Sequence, residues 1–279
     1  MILNSVANDL NLQALHPLDT GWYQENELKS RADAGQSYDL SYRHLSPVVE
    51  YDQLARVVPE ALLTTVMRNP DTKFVSMFNF VQTTKSQFGT PERFVNDGVF
   101  GGQATDQQVN DLCNNMAYTL SGKQDVLGRL TEAESIEYAN KMIADLESRN
   151  MFVMIMERME ESFTVVCDGM GWDCYSDQHV QIKNTRERSQ GGSKVGCAGA
   201  CLDVIRRCNH VDYALYEHFS ARLTEVMKGV EGADGKVEKV RQHMASSRQG
   251  APKYPVNCKK AANQPWERLH TCDSKASWK

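Results

Sequence analysis

Arg68 and Ser76 stand eight residues apart across a sharp change of sequence pattern. Ahead of them, Leu62-Leu63-Thr64-Thr65-Val66-Met67 is an apolar run of strand length that ends at Arg68. Asn69 suits a helix N-cap and Pro70 a first helical turn. Phe74, Val75, Phe78 and Val81 then recur at helical spacing. The pattern predicts a strand, a turn and a helix, with a permanent cation at the turn and a hydroxyl further along. Such a unit can hold a phosphate. The helix start offers free N–H groups and a partial positive charge, and the guanidinium offers two parallel hydrogen bonds. An Arg in this place also serves as an ordinary surface ion pair.

Other residue types invite the same question. His44 closes a short predicted strand, Tyr38–Tyr42. A neutral imidazole there can take a proton from a hydroxyl, or simply bond a backbone carbonyl. Lys183, Arg186 and Arg188 form a basic run before Ser189–Gly199, which carries four glycines. It reads as a mobile loop able to close over an anion, or as a solvated charge run. Trp172 can stack on a ring or fill a half-buried core position. His218 shares a helix face with Leu215 and Phe219 and reads as packing. Cys197, Cys201, Cys208 and His210 cluster in a spacing that matches no known zinc finger. Disulfides or buried thiols explain them better, and no metal is expected.

These residues need a scaffold. Ile2, Leu3, Val6, Ala7 and Leu10 form a helical face at the very start, as if upstream sequence were lost. Residues 17–38 read as a surface loop and 46–60 as a short helix. Residues 83–125 are rich in Gln, Asn, Gly and Asp, and read as an insertion with short helices and few apolar anchors. Thr131-Glu132-Ala133-Glu134 has the form of a capping box, with Ile136, Ala139, Met142, Ile143 and Leu146 as the buried stripe behind it. Phe152–Met156 reads as a second buried strand, followed by a helix from Glu160 to about Cys167. A short strand is expected at His179–Lys183, and a long helix carrying Val211, Ala214, Leu215, His218, Phe219 and Leu223. Alternating strands and helices predict an α/β fold with a parallel sheet. A domain over residues 1–228 is expected, with 229–279 as a polar, partly disordered extension.

Composition bounds the rest. The 279 residues are 41% hydrophobic and carry a net charge of −5, which argues against a nucleic-acid partner. No apolar run approaches the roughly 20 residues a membrane helix needs, and no leader is visible. G-x-x-x-x-G-K-[ST] is absent, which removes the small-molecule kinases.

Several blocks in order resemble the galactose-3-O-sulfotransferase family, best known for its galactosylceramide sulfotransferases. They are Ile2-Leu3-Asn4 through Pro17, Tyr42-Arg43-His44, and Thr65-Val66-Met67-Arg68-Asn69-Pro70 through Phe80. Phe152-Val153-Met154-Ile155, Glu160-Glu161-Ser162 and Gly171-Trp172-Asp173 follow. Lys183-Asn184-Thr185-Arg186 and Asp212-Tyr213-Ala214-Leu215-Tyr216-Glu217-His218-Phe219 complete the series. Asn69 and Glu160 each stand where the family more usually has Asp.

The resemblance implies a P-loop-like sulfotransferase fold whose first strand and phosphosulfate loop are missing ahead of residue 1. It implies 3′-phosphoadenosine 5′-phosphosulfate, PAPS, as cosubstrate, with Arg68 and Ser76 on its 3′-phosphate. Arg186 or Arg188 would lie in a loop closing over the nucleotide, and His44 would be the base. The implied acceptor is a glycolipid or glycan with terminal galactose, and the implied site is the lumenal face of the Golgi membrane, reached through an N-terminal anchor. A chain without its sulfate cradle would have little turnover. A non-catalytic remnant that binds nucleotide or a protein partner is the alternative.

Overall fold

The computed structural model describes residues 64–121, 126–149, 151–171 and 196–246, together with residues 14, 15, 30, 33–35, 40, 41 and 56. Strands β1 (Ala14–Leu15) and β2 (Leu40–Ser41) pair in parallel, Ala14 opposite Leu40. Strand β3 (Thr64–Met67) pairs in parallel with β4 (Phe152–Ile155), Thr64 opposite Phe152 and Met67 opposite Ile155. Side chains alternate across this pair as the pleat requires. Met67, Val153 and Ile155 are buried, while Val66 on the other face is half exposed.

Helix α1 (Pro70–Phe80) starts where the sequence places it. The Asn69 side chain accepts the Thr72 N–H at 3.3 Å, and Pro70 occupies the first position, where no N–H is needed. Phe74 and Phe78 bury one side of it. Next come α2 (Gln82–Phe88), α3 (Pro91–Arg93), a π-helical stretch (Phe94–Phe100), α4 (Asp106–Leu112) and α5 (Asn115–Ser121). The short helices agree with expectation, but the shortage of apolar anchors does not. Phe88, Phe94, Val95, Val99, Val109, Leu112 and Cys113 are all buried. One or two apolar residues per short helix are enough when five such pieces point inward together.

Helix α6 (Glu132–Ser148) has both halves of its capping box, Thr131 on the Glu134 N–H and Glu134 on the Thr131 N–H. Its buried stripe is Ser135, Ala139, Met142 and Leu146. Ile136, expected inside, is exposed, and Ile143 is only half-buried. The stripe is narrower than the apolar pattern, and a small serine faces the core in place of the isoleucine. Helix α7 (Met159–Met170) ends at Gly171 in the left-handed region, φ 65°. Helices α8 (Ala200–Arg206), α9 (His210–Lys228) and α10 (Ala233–Ser246) complete the described residues. Helix α10 lies against α7, with Val240 buried and Lys236 paired with Asp168. The polar segment expected to begin at residue 229 therefore opens with a docked helix, since one well-placed valine seats it. The expected strand at 179–183 lies outside the described residues.

Two apolar cores result. One surrounds the β3–β4 pair and takes side chains from α5, α6 and α9. The other is built on Phe74, Phe78, Phe88 and Phe94, closed by Ile205 from α8. The Phe94 ring meets the Phe88 ring edge-on at 5.3 Å.

The seam between the cores is polar, with a disulfide on its phenylalanine side. Cys113 and Cys208 form a buried disulfide. Beside it Asn114 donates its N–H to the Asn209 side chain at 2.8 Å, and the Asn114 side chain accepts the Asp212 N–H at 3.0 Å. Asp212 in turn accepts the Met116 and Ala117 N–H groups at 3.0 and 2.8 Å. The starts of α5 and α9 thus cap one another, satisfying donors that a helix N-terminus leaves open. Among the described residues no helix is long and apolar enough to cross a membrane.

Candidate functional site

Because β3 and β4 are parallel and in register, their carboxyl ends lie side by side. Ligands of open α/β sheets bind at this edge. Arg68-Asn69 leaves β3 there, and Glu157 leaves β4. Both carboxylate oxygens of Glu157 accept the Asn69 N–H, each at 3.1 Å, and the Tyr216 hydroxyl of α9 donates to one of them at 3.2 Å. Burial and then the Glu157 charge push the Tyr216 phenol up from its ordinary value. The turn after β3 is therefore pinned by a residue 88 positions away and supported by one 59 positions beyond that.

The Arg68 guanidinium lies back along the start of α1, its Nε donating to Thr72 Oγ1 at 2.9 Å. Its backbone N–H points at Met116 Sδ at 3.4 Å. Ser76 is one helical turn beyond Thr72 on an exposed surface. The structure thus carries Arg68 in the turn after β3, at the ligand edge of the sheet, and Ser76 on the helix that follows. An exposed hydroxyl, a guanidinium and a helix start at one edge fit an anion.

Three residues of α9 stand behind this element. Tyr213 donates to Asp71, and Arg206 approaches the same carboxylate at 3.8 Å and lies 5.5 Å from the Tyr213 ring. Burial, followed by the bond to Asp71, raises the Tyr213 phenol. Asp212 is buried at the seam, and that burial pushes its carboxyl up against the opposing pull of Lys73 and two backbone N–H groups. Lys73, half-buried in α1, is lowered chiefly by desolvation, with Arg68 acting in the same sense and Asp212 against both. Tyr216 completes the set.

The Glu160-Glu161-Ser162 block also has a physical role. Ser162 Oγ accepts the Ile155 N–H at 2.9 Å, tying α7 to the end of β4. Glu161 holds Arg158, whose guanidinium also donates to the Ser220 carbonyl at 2.9 Å and the Thr224 hydroxyl at 2.7 Å.

Of the residues singled out from the sequence, Arg68 lies in the turn before α1, bonded to Thr72, and Ser76 lies exposed within that helix. His44, Trp172, Lys183, Arg186 and Arg188 lie outside the described residues. His218 is not a core residue. It faces Glu147 at 3.1 Å, a carboxylate that Arg222 also engages, with its ring edge-on to Phe219. Cys197 and Cys201 form one disulfide and Cys208 another with Cys113, so none of the three is available as a thiolate ligand. Cys167 is disulfide-bonded as well. Among the described residues no cluster of three or more metal-ligating side chains occurs.

Sequence reasoning missed Lys73, Glu157, Asp212 and Tyr216. Signals existed for three of them, since Lys73 precedes Ser76 by three residues on one side of a helix, and Asp212 and Tyr216 stand in the Asp212–Phe219 block that carries the resemblance. Glu157 acts across a long sequence separation that no local pattern reports.

A family model for the galactose-3-O-sulfotransferases matches residues 15–271, most of the chain. The chain belongs to this family, and the helix-rich architecture with a small parallel strand pair is compatible with its α/β fold. Membership places it among transferases that move a sulfuryl group to galactose. No curated protein and no solved structure matches the chain.

Proposed function

We propose that this chain serves sulfuryl transfer from PAPS to the 3-hydroxyl of a galactose on a glycolipid or glycan. The observation that carries the reading is the Arg68–Ser76 element at the carboxyl end of β3, pinned by Glu157, in a chain of this family. When bound, the nucleotide supplies an activated sulfate on a phosphate leaving group. Arg68 and Ser76 hold its 3′-phosphate and so set the register of the cosubstrate, which converts a collision into an aligned encounter. Arg186 or Arg188 closes over the nucleotide and neutralises charge on it. His44, as a neutral imidazole, takes the proton of the galactose hydroxyl.

The compartment reading gains support from the cysteines. Disulfides persist in oxidising lumens and are rare in the cytosol. The pairs Cys113–Cys208 and Cys197–Cys201 therefore favour the Golgi lumen, with any membrane attachment lying outside the described residues.

The test is binding of adenosine 3′,5′-bisphosphate measured by calorimetry. Arg68→Ala is expected to weaken it about 100-fold, the cost of removing a charge that a bound phosphate pairs with. Wild-type chain that shows no affinity for the bisphosphate would sink the reading.

A further inference from the structure

We propose that Glu157 and Tyr216 are positioning residues for the cosubstrate, holding the turn that carries Arg68 in the shape that grips the 3′-phosphate; this rests on the nucleotide reading above. Glu157 accepts the Asn69 N–H with both carboxylate oxygens, each at 3.1 Å, and the Tyr216 hydroxyl donates to one of those oxygens at 3.2 Å. Asn69 passes that constraint on. Its side-chain oxygen accepts the Thr72 N–H at 3.3 Å, and its carbonyl accepts the Thr72 hydroxyl at 3.1 Å. The same Thr72 oxygen accepts Arg68 Nε at 2.9 Å. The direction of the guanidinium is therefore set by Thr72, Thr72 by Asn69, and Asn69 by Glu157.

A second arm reaches the same turn. The Arg68 N–H points at Met116 Sδ at 3.4 Å, and Asp212 holds the Met116 and Ala117 N–H groups. Asp212 and Tyr216 stand four residues apart in α9 and so share one side of that helix. Two consecutive N–H groups of the turn thus trace back, each through one intermediary, to one side of α9. The main-chain donors of the turn are already taken. The Arg68 N–H goes to Met116, that of Asn69 to Glu157 and that of Thr72 to Asn69, while Pro70 has none. The 3′-phosphate is then left to side chains, which are only as well placed as the backbone beneath them. Glu157 also brings a like charge to a place that takes an anion, which by itself weakens binding. Against that, a loose turn lowers affinity by the fraction of time it spends outside its binding shape. The two effects have opposite signs, and substitutions separate them.

The decisive experiment measures two probes by calorimetry on the full chain, adenosine 3′,5′-bisphosphate and adenosine 5′-monophosphate. Glu157→Ala removes the acceptor together with the charge. It is expected to weaken the bisphosphate about 10-fold, the result of a turn in its binding shape about one tenth of the time. The monophosphate should stay within about twofold of wild type, because it lacks the group that this turn holds. Glu157→Gln keeps an oxygen for the Asn69 N–H and drops the charge, so it should bind the bisphosphate at least as tightly as wild type. Tyr216→Phe removes only the hydroxyl and should cost about threefold, the lower end of one hydrogen bond. Added to Glu157→Ala it should cost nothing more, since both act through one link. Wild-type bisphosphate affinity in Glu157→Ala overturns the assignment. So does an equal loss for both probes, which is what a general loosening of the fold would give. Equal losses in Glu157→Gln and Glu157→Ala overturn it as well, because the charge and not the acceptor would then matter. Full additivity of Tyr216→Phe with Glu157→Ala overturns the part given to Tyr216. If Arg68→Ala weakens binding and Glu157→Ala does not, the positioning role falls and the nucleotide reading stands. If the wild type does not bind the bisphosphate, both fall.

Discussion

The two cores of this protein were built under different rules. The sheet-side core rests on the paired strands β3 and β4 and on two long helices, α6 and α9, and most of its buried side chains follow from spacing alone. The phenylalanine-side core is assembled from pieces of three to eleven residues, in a segment whose composition is that of a loop. Burial in the first is a property of each element. In the second, α1 apart, it belongs to the assembly, because none of the shorter pieces has a face wide enough to declare itself. Arg68 lies where the chain leaves the first core for the second, with Met67 in one and Phe74 in the other.

The sharpest way to probe that contrast is Phe94→Ala. Phe94 is fully buried and its ring faces those of Phe74, Phe78 and Phe88. Removal should cost about 3–5 kcal/mol in denaturant unfolding. A cost under about 1 kcal/mol would mean that the short helices do not share one core. Gly128→Ala comes next. A Cβ on Gly128 would sit 2.5 Å from the Cys113 Cβ and 2.8 Å from a Val109 methyl. Neither can give way easily, one being fixed by the disulfide, so a loss of about 1–3 kcal/mol is expected. The smallest effect is expected from Ile136→Ser on α6. Sequence periodicity places this residue inside, whereas it is 51% exposed. Its substitution should stay within about 0.5 kcal/mol of wild type, and a loss of 2 kcal/mol or more would return it to the core.

What could be read from the sequence followed the same division. The β3-turn-α1 unit, the capping box at Thr131 and the register of apolar residues on α9 are local, and local chemistry dictates them. Asn69 caps because its side chain reaches its own helix. Ser76 and Arg68 were visible because they share that short unit. Glu157 was not, because what makes it matter is the Asn69 N–H on a neighbouring strand, and only the parallel pairing brings them together. The reciprocal capping at the seam was hidden for the same reason. Asn114 and Asp212 look like ordinary helix-start residues, and each serves the other's helix. His218 misled because its neighbours on the helix are apolar, while its partner Glu147 comes from α6.

The Glu157 pin has a consequence for how the molecule is made. The turn at residue 69 has its partners only when Glu157 and Tyr216 have joined it, and Tyr216 is translated 147 residues after Asn69. A ribosome must therefore deliver three quarters of the chain before the turn after β3 has its final surroundings. No fragment ending before α9 can stand in for the whole.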